Sequence, residues 1–201
     1  MRLTFDGWIA GLGTGSGTRL VVGHWPRSPF GPVSDVMVEH PDGHRVLLAP
    51  HAELARFVAA TYAFDEVRLG PVSVERSWAV TAGPLELRFT VGRRSGLGWL
   101  LRAVPPPIAR HPNWVRLLDR PARLALRGVR TRGSAGNGRR EWYGAQDLHP
   151  IVAATAAWDG RDLGALTDVE PPVRFGFGST PRHPSLARIT TTVDVPDTRE
   201  P

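Results

Sequence analysis

The chain has 201 residues, of which 41% are hydrophobic, so it is long enough to bury a substantial core within one domain. It contains no cysteine, which excludes disulfides, thiol nucleophiles and thiolate metal sites. All 25 basic residues are arginine, so Schiff-base and phosphate-loop lysines are excluded as well, and the net charge is +6.

The hydropathy pattern gives no sign of a membrane segment. The first residues carry Asp6 within a short apolar stretch, and no apolar run approaches the length of a membrane span. We therefore expect a soluble, cytoplasmic protein. We expect residues 1–195 to form a single domain and residues 196–201 to be a disordered tail.

Alternation of apolar and polar residues with a period of two predicts about ten strands. They are expected at residues 4–10, 18–25, 34–40, 44–49, 65–75, 85–91, 123–130, 141–148, 151–158, 173–177 and 188–195. Between 34–40 and 44–49, the residues Pro41, Asp42 and Gly43 are those of a hairpin turn.

A helical repeat of apolar residues is clearest at 51–62, where Leu54, Phe57 and Val58 share one face. Short helical turns are expected near 97–120, interrupted by prolines. Many strands with one capping helix predict a mainly β (β-rich α+β) fold, a single antiparallel barrel or sandwich. At the level of fold alone, this pattern is compatible with a lipocalin-like barrel.

The glycine-rich stretch at residues 11–17 does not have the spacing of a dinucleotide-binding loop. Ser16 and Thr18 occupy positions where that motif requires glycine, and no helix follows. We expect a flexible hairpin connection instead. Serine-hydrolase and zinc-protease motifs are also missing from the sequence, and we expect no cofactor.

Three histidines, His24, His40 and His44, fall near predicted strand ends, where they could converge on a metal ion. Their spacing does not match a metal-binding motif. We therefore favour solvated hairpin ends and predict no metal site.

The segment from Arg93 to Arg140 contains twelve arginines and one acidic residue, together with Trp99 and Trp114. Three interpretations compete. The segment could dock on an anionic membrane surface, or it could bind nucleic-acid phosphates. Alternatively, its apolar residues belong to the core and its arginines face acids of the same molecule, which is the interpretation that we favour.

The stretch EWYGAQDLHP at residues 141–150 carries the candidate catalytic residues. In an extended chain, Glu141, Tyr143, Asp147 and His149 share one face, with neighbours about 7 Å apart. Asp147 could orient His149, and Glu141 could hydrogen-bond to Tyr143. A solvated strand face is the alternative.

The candidate ligand-binding residues are Arg139, Arg140, Trp142, Phe175 and Phe177. Our first hypothesis is a protein that binds a small amphipathic or anionic molecule in a cavity beside strand 141–149. The second is an isomerase, lyase or hydratase that uses His149 as its base, and the third is the anionic-surface docking described above. The sequence does not indicate an oligomeric state.

Overall fold

The computed structural model describes residues 1–109, 132–134, 136–176 and 178–196. Several predictions fall outside these ranges. They concern the helical turn near 113–120, the strand 123–130, Phe177, and most of the tail. Among the described residues, no helix has both the length and the apolar character needed to cross a membrane.

The described chain consists mostly of strands. The strands are β1 (Arg2–Thr14), β2 (Arg19–Arg27), β3 (Val33–Glu39), β4 (Arg45–Ala49), β5 (Glu66–Leu69), β6 (Val72–Val74), β7 (Ala79–Ala82), β8 (Leu85–Val91), β9 (Arg132–Ser134), β10 (Arg140–Trp158), β11 (Arg161–Asp162), β12 (Leu166–Thr167) and β13 (Ser185–Asp194). The helices are α1 (Ala52–Ala59), α2 (Gly96–Arg102) and α3 (Pro106–Ala109), and residues Gly136–Gly138 form a 3₁₀ turn.

These strands form one large sheet in the order β5-β4-β3-β2-β1-β13-β10-β8-β7-β6. The pairs are antiparallel except for β4 and β5, which are parallel and joined by α1. Within the described residues the sheet is open, with β5 and β6 at its two ends. The mainly β prediction is confirmed. Of the two predicted forms, a barrel or a sandwich, the described sheet is not closed into a barrel, and a lipocalin-like barrel is not confirmed.

The longest strand, β10, changes its pairing partner halfway along, and this allows one sheet to cover two sides of a core. Its first half pairs with β13 as far as Pro150, and its second half pairs with β8 from Ile151 onward. Proline lacks the N–H that a continuous ladder needs, so a change of partner at this residue leaves no donor unpaired. The two predicted strands 141–148 and 151–158 are therefore parts of one strand.

Successive side chains of a strand point to opposite faces of the sheet. Successive residues of β1–β4 are mostly apolar, so both faces of this part of the sheet are apolar. Val36 and Val38 pack into a core shared with β7, β8 and the second half of β10. Val33 and Leu47 face the other way, into a second core closed by α1. The second core is the side on which the candidate site lies.

Other local predictions have mixed outcomes. The hairpin of β3 and β4 is confirmed, and so is the helix predicted at 51–62, although it ends earlier, at Ala59. The strand predicted at 65–75 is divided into β5 and β6, and β7 was not predicted. The strand predicted at 173–177 is wrong for its described residues, which form an irregular segment.

The glycines at the start of the 11–17 stretch belong to β1 and not to a flexible connection. A Cβ atom at Gly11 would lie 2.4 Å from the Thr180 side chain, and one at Gly13 would lie 2.2 Å from the Asp168 carbonyl oxygen. Glycine therefore lets the chain around 168–181 approach the sheet closely. This covering segment forms part of the wall of the candidate site.

Candidate functional site

A cavity of about 180 Å³, here called the outer cavity, lies between the sheet and the segments that cover its second core. Its wall comes from β1, β2, β3, β10, β13, α2 and residues within 173–176 and 178–181. The wall is mainly apolar and includes Ile9, Val21, Met37, Leu101, Phe175 and Ile189. The cavity is thus covered by loops and a helix, and it is not the lumen of a barrel.

Tyr62 and Tyr143 bring polar groups to this apolar wall. Tyr62 follows α1, and Tyr143 lies on β10 two residues after Glu141, so the strand places both β10 side chains on one face. The Tyr62 hydroxyl lies 3.0 Å from each Glu141 carboxylate oxygen and 2.7 Å from the Tyr143 hydroxyl. Tyr143 also donates to Glu141 at 3.0 Å, as expected from their spacing.

The electrostatics of this Tyr–Glu–Tyr cluster are dominated by burial. Burial raises the pKa of Glu141 to about 7, although hydrogen bonds from both tyrosines and the charge of Arg139 act in the opposite direction. Burial also raises the pKa of Tyr62 and Tyr143 well above the usual value, so both hydroxyls stay protonated. Near neutral pH, Glu141 can therefore gain or lose a proton while its partners cannot.

Asp147 and His149 belong to a second cluster with different partners. Arg94 donates two hydrogen bonds of 2.8 Å to the Asp147 carboxylate, and His149 Nε2 lies 3.5 Å from it. Burial acts to raise the pKa of Asp147, but hydrogen bonds from Arg94 and the Leu148 backbone hold that pKa below its usual range. Asp147 lines the outer cavity, whereas His149 is not among its lining residues.

A β-bulge separates the two clusters. The register of β10 against β13 shifts between Ala145 and Asp147, and the extra residue, Gln146, donates to the Thr190 hydroxyl at 2.7 Å. Such a bulge interrupts the two-residue repeat of the strand. The prediction that all four polar side chains form one group is therefore corrected: they form two pairs.

The predicted ligand-binding residues are dispersed. Phe175 lines the outer cavity. Arg139 stacks on Phe57 and donates to its carbonyl oxygen at 2.7 Å, so it is engaged within the fold. Arg140 is exposed, and Trp142 is half-buried with the Arg2 guanidinium 5.7 Å from its ring. Neither of them lines the outer cavity.

The arginine-rich segment is only partly described. Arg94 is paired with Asp147 and lies over the Trp99 ring at 4.5 Å, so this part fits the interpretation of internal pairing. Trp99 is nevertheless 62% exposed. Six of the twelve arginines lie outside the described residues, and the docking hypothesis stays a prediction.

Two acidic or hydroxyl-bearing residues of this region were not predicted. The sequence pattern places Tyr62 in the predicted helix 51–62 and Asp35 in the predicted strand 34–40, and it marks neither as a site residue. A signal for Asp35 exists in the sequence, because it alternates with Val33 and Met37 on one face while the other face is also apolar. An acid in such a strand is expected to be buried.

The three histidines do not support a metal site. His24 hydrogen-bonds to the Ser34 hydroxyl at 2.9 Å, while the rings of His40 and His44 stack 6.3 Å apart. Among the residues that the structure describes, no group of three or more histidine or carboxylate side chains is placed to hold a metal ion.

The fold and site thus define a mainly β protein with a small apolar cavity and a buried acid at its wall. Compared with protein-family models, with curated proteins and with solved structures, the chain gives no significant match. Its function is therefore inferred from the geometry of the site.

Proposed function

We propose that the protein binds a small, mainly apolar molecule with one polar group in the outer cavity. The observation that supports this most directly is the apolar cavity of about 180 Å³ with two tyrosine hydroxyls in its wall. An engineered apolar cavity of about 150 Å³ is large enough to bind benzene. A ligand with a single ring or a short alkyl chain is therefore of suitable size.

Polar groups in the wall indicate where the ligand's polar group would lie. Tyr62 and Tyr143 both line the cavity and hydrogen-bond to Glu141 behind them. Thr180 lines the same cavity, and its hydroxyl is buried and has no hydrogen-bond partner among the described residues. A ligand hydroxyl or carbonyl could form a hydrogen bond with the tyrosine hydroxyls or with the Thr180 hydroxyl.

The charges favour an uncharged or cationic ligand over an anionic one. Asp147, which is paired with Arg94, is the charged residue among the described residues in the wall of the outer cavity, and Glu141 lies directly behind the tyrosines. Arg139, which the sequence predicts to bind the ligand, is bonded to Phe57 and Thr61 instead. Of the two ligand classes in our first hypothesis, we retain the amphipathic one.

Calorimetric titration with ethylbenzene and 2-phenylethanol tests this proposal. We expect saturable binding of both probes, since each fits the apolar volume. Ala187 lines the outer cavity, so the larger side chain of Ala187→Leu would occupy part of its volume. We expect this to weaken ethylbenzene binding at least about tenfold. Ala153→Leu, at an exposed position of β10, is the matched control and should leave binding unchanged. Absence of binding to the unmodified protein would overturn the proposal.

Acid–base catalysis, of an isomerase, hydratase or lyase type, is a second proposal. One observation favours it: a carboxyl with a pKa of about 7 lies beside two tyrosine hydroxyls at the cavity wall. Such a carboxyl can accept and return a proton at neutral pH, and tyrosine hydroxyls can stabilise an oxyanion. Glu141 then takes the role that we had assigned to His149. Glu141→Gln would abolish such turnover while preserving the cavity.

A further inference from the structure

A second, smaller cavity of about 60 Å³, here called the inner cavity, lies beside the outer one. Tyr62 and Tyr143 belong to the walls of both cavities. The inner wall also carries two carboxyls, Asp35 on β3 and Glu141 on β10, which are only 3% and 1% exposed. Burying a charged group is costly unless it is paired, so two buried acids in the wall of one small cavity indicate that a partner of opposite charge could bind there.

Thr191 adds an independent observation. This residue lies opposite Tyr143 on β13, lines the inner cavity and is 5% exposed. Its hydroxyl has no hydrogen-bond partner among the described residues. Because an unsatisfied buried hydroxyl costs about 1–3 kcal/mol, a ligand that bonds to it gains affinity.

The Asp35 carboxyl has room for a further donor. The Trp25 indole N–H donates a hydrogen bond of 3.0 Å to Asp35 Oδ1. Among the described residues, this is the side-chain hydrogen bond that the Asp35 carboxyl accepts. Gly23 makes the bond possible, since a Cβ there would lie 2.6 Å from both Asp35 Oδ1 and Trp25 Nε1. The second carboxylate oxygen remains able to accept a hydrogen bond from a ligand.

The arginine that acts on the charge of Glu141 does not line the inner cavity. Arg139 acts on the charge of Glu141, but its guanidinium donates to the Phe57 carbonyl and the Thr61 hydroxyl. It is not among the residues that line the inner cavity. Among the residues that the structure describes, no arginine lines the space that the two carboxyls share.

Aromatic rings complete the wall. Phe5, Trp25 and Phe57 all line the inner cavity, with the Phe5 ring 5.7 Å from that of Trp25 and 5.4 Å from that of Phe57. Aromatic faces attract cations, most strongly where water is excluded. The rings and the carboxyls thus favour the same sign of charge.

We propose that the inner cavity binds the ammonium group of a small primary amine, whose apolar part lies in the outer cavity. The three N–H donors of such a group match the three acceptors Asp35, Glu141 and Thr191. The volume of about 60 Å³ suits so small a group, because one water molecule takes roughly 30 Å³. This inference rests on the proposed function and specifies its ligand class.

Calorimetric titration at pH 7.5 with phenethylamine tests the inference, with 2-phenylethanol and ethylbenzene as neutral probes of similar shape. We expect the amine to bind at least about tenfold more tightly than the alcohol, since its charge faces two acids in a region of low dielectric constant. The N,N,N-trimethyl derivative of phenethylamine should bind more weakly than the amine, because it has no N–H donor and is larger.

Isosteric variants locate the ammonium group. Asp35→Asn should weaken amine binding about tenfold and Thr191→Val about threefold to fivefold, in line with the loss of one charged and one neutral hydrogen bond. Neither substitution should change ethylbenzene binding. Glu86→Gln is the matched control, because it neutralises an exposed acid of β8 that lines neither cavity, and it should leave amine affinity within twofold.

Each outcome separates this inference from the proposed function. If ethylbenzene binds but the amine binds no more tightly than 2-phenylethanol, the amine inference is overturned and the proposed function stands. If no probe binds, both are overturned. Tight amine binding that Asp35→Asn leaves unchanged places the charge elsewhere and also overturns the inference.

Discussion

The two halves of the bulged segment of β10 hold acids of the same chemistry in opposite states. Glu141 is surrounded by tyrosine hydroxyls and apolar side chains, and burial raises its pKa to about 7. Asp147, six positions further along the strand, receives a bidentate contact from Arg94 that holds its pKa below the usual range. The partner, and not the residue type, decides which acid can exchange a proton at neutral pH.

The contrast also separates two structural roles. An acid that is held ionised by arginine fixes α2 and the chain before it against the strand. An acid that is buried among hydroxyls is destabilising when it ionises, so its retention is more easily explained by binding or catalysis than by folding. The following substitutions test this difference through stability.

Glu141→Gln should have the largest effect. Because the folded-state pKa lies above the unfolded value, the wild-type protein loses stability as pH rises from about 4.5 to 7, and the loss is then constant. Glutamine cannot ionise, so the substitution should raise the free energy of unfolding above pH 7 by on the order of 3 kcal/mol. It should have little effect near pH 4. Urea unfolding at pH 4, 6 and 8 measures this. An equal effect at all three values would show that folding does not shift the pKa of Glu141.

Asp147→Asn should have a smaller effect of opposite sign. Its folded-state pKa is lowered, so its contribution is present at neutral pH and is lost as pH falls through that lowered value. The loss of a charge-assisted contact with Arg94 should cost about 1–2 kcal/mol at pH 7 and progressively less in acid. The same urea titrations apply. A stabilising substitution at pH 7 would mean that the ion pair does not offset its desolvation.

The sequence predicts this region unevenly, for physical reasons. A two-residue repeat is local, so strands such as 85–91 and the contact between Glu141 and Tyr143 follow from it. The bulge at Gln146 is set by pairing with β13, which the repeat does not encode. Four polar side chains were therefore assigned to one face when the structure divides them.

Contacts between distant parts of the chain, and the order of the strands, could not be predicted from the sequence for a related reason. Tyr62 lies 79 positions before Glu141 and meets it only because α1 crosses over the sheet. The open sheet depends on which strands occupy its ends, and alternation does not specify strand order. Asp35 is different: apolar residues on both faces of β3 already indicate burial of an acid there.

His149→Ala should have the smallest effect, and it tests our original assignment of the base. The ring lies 3.2 Å from the Gly92 carbonyl oxygen and 3.5 Å from Asp147, outside the set of residues that line the outer cavity. Because Arg94 already supplies the main contacts of Asp147, we expect a loss of less than about 1 kcal/mol in unfolding free energy. Ethylbenzene affinity should stay within twofold of the wild type, in contrast to Ala187→Leu. A tenfold loss of affinity in the alanine variant would return His149 to the binding site and would join the two clusters of β10 into one.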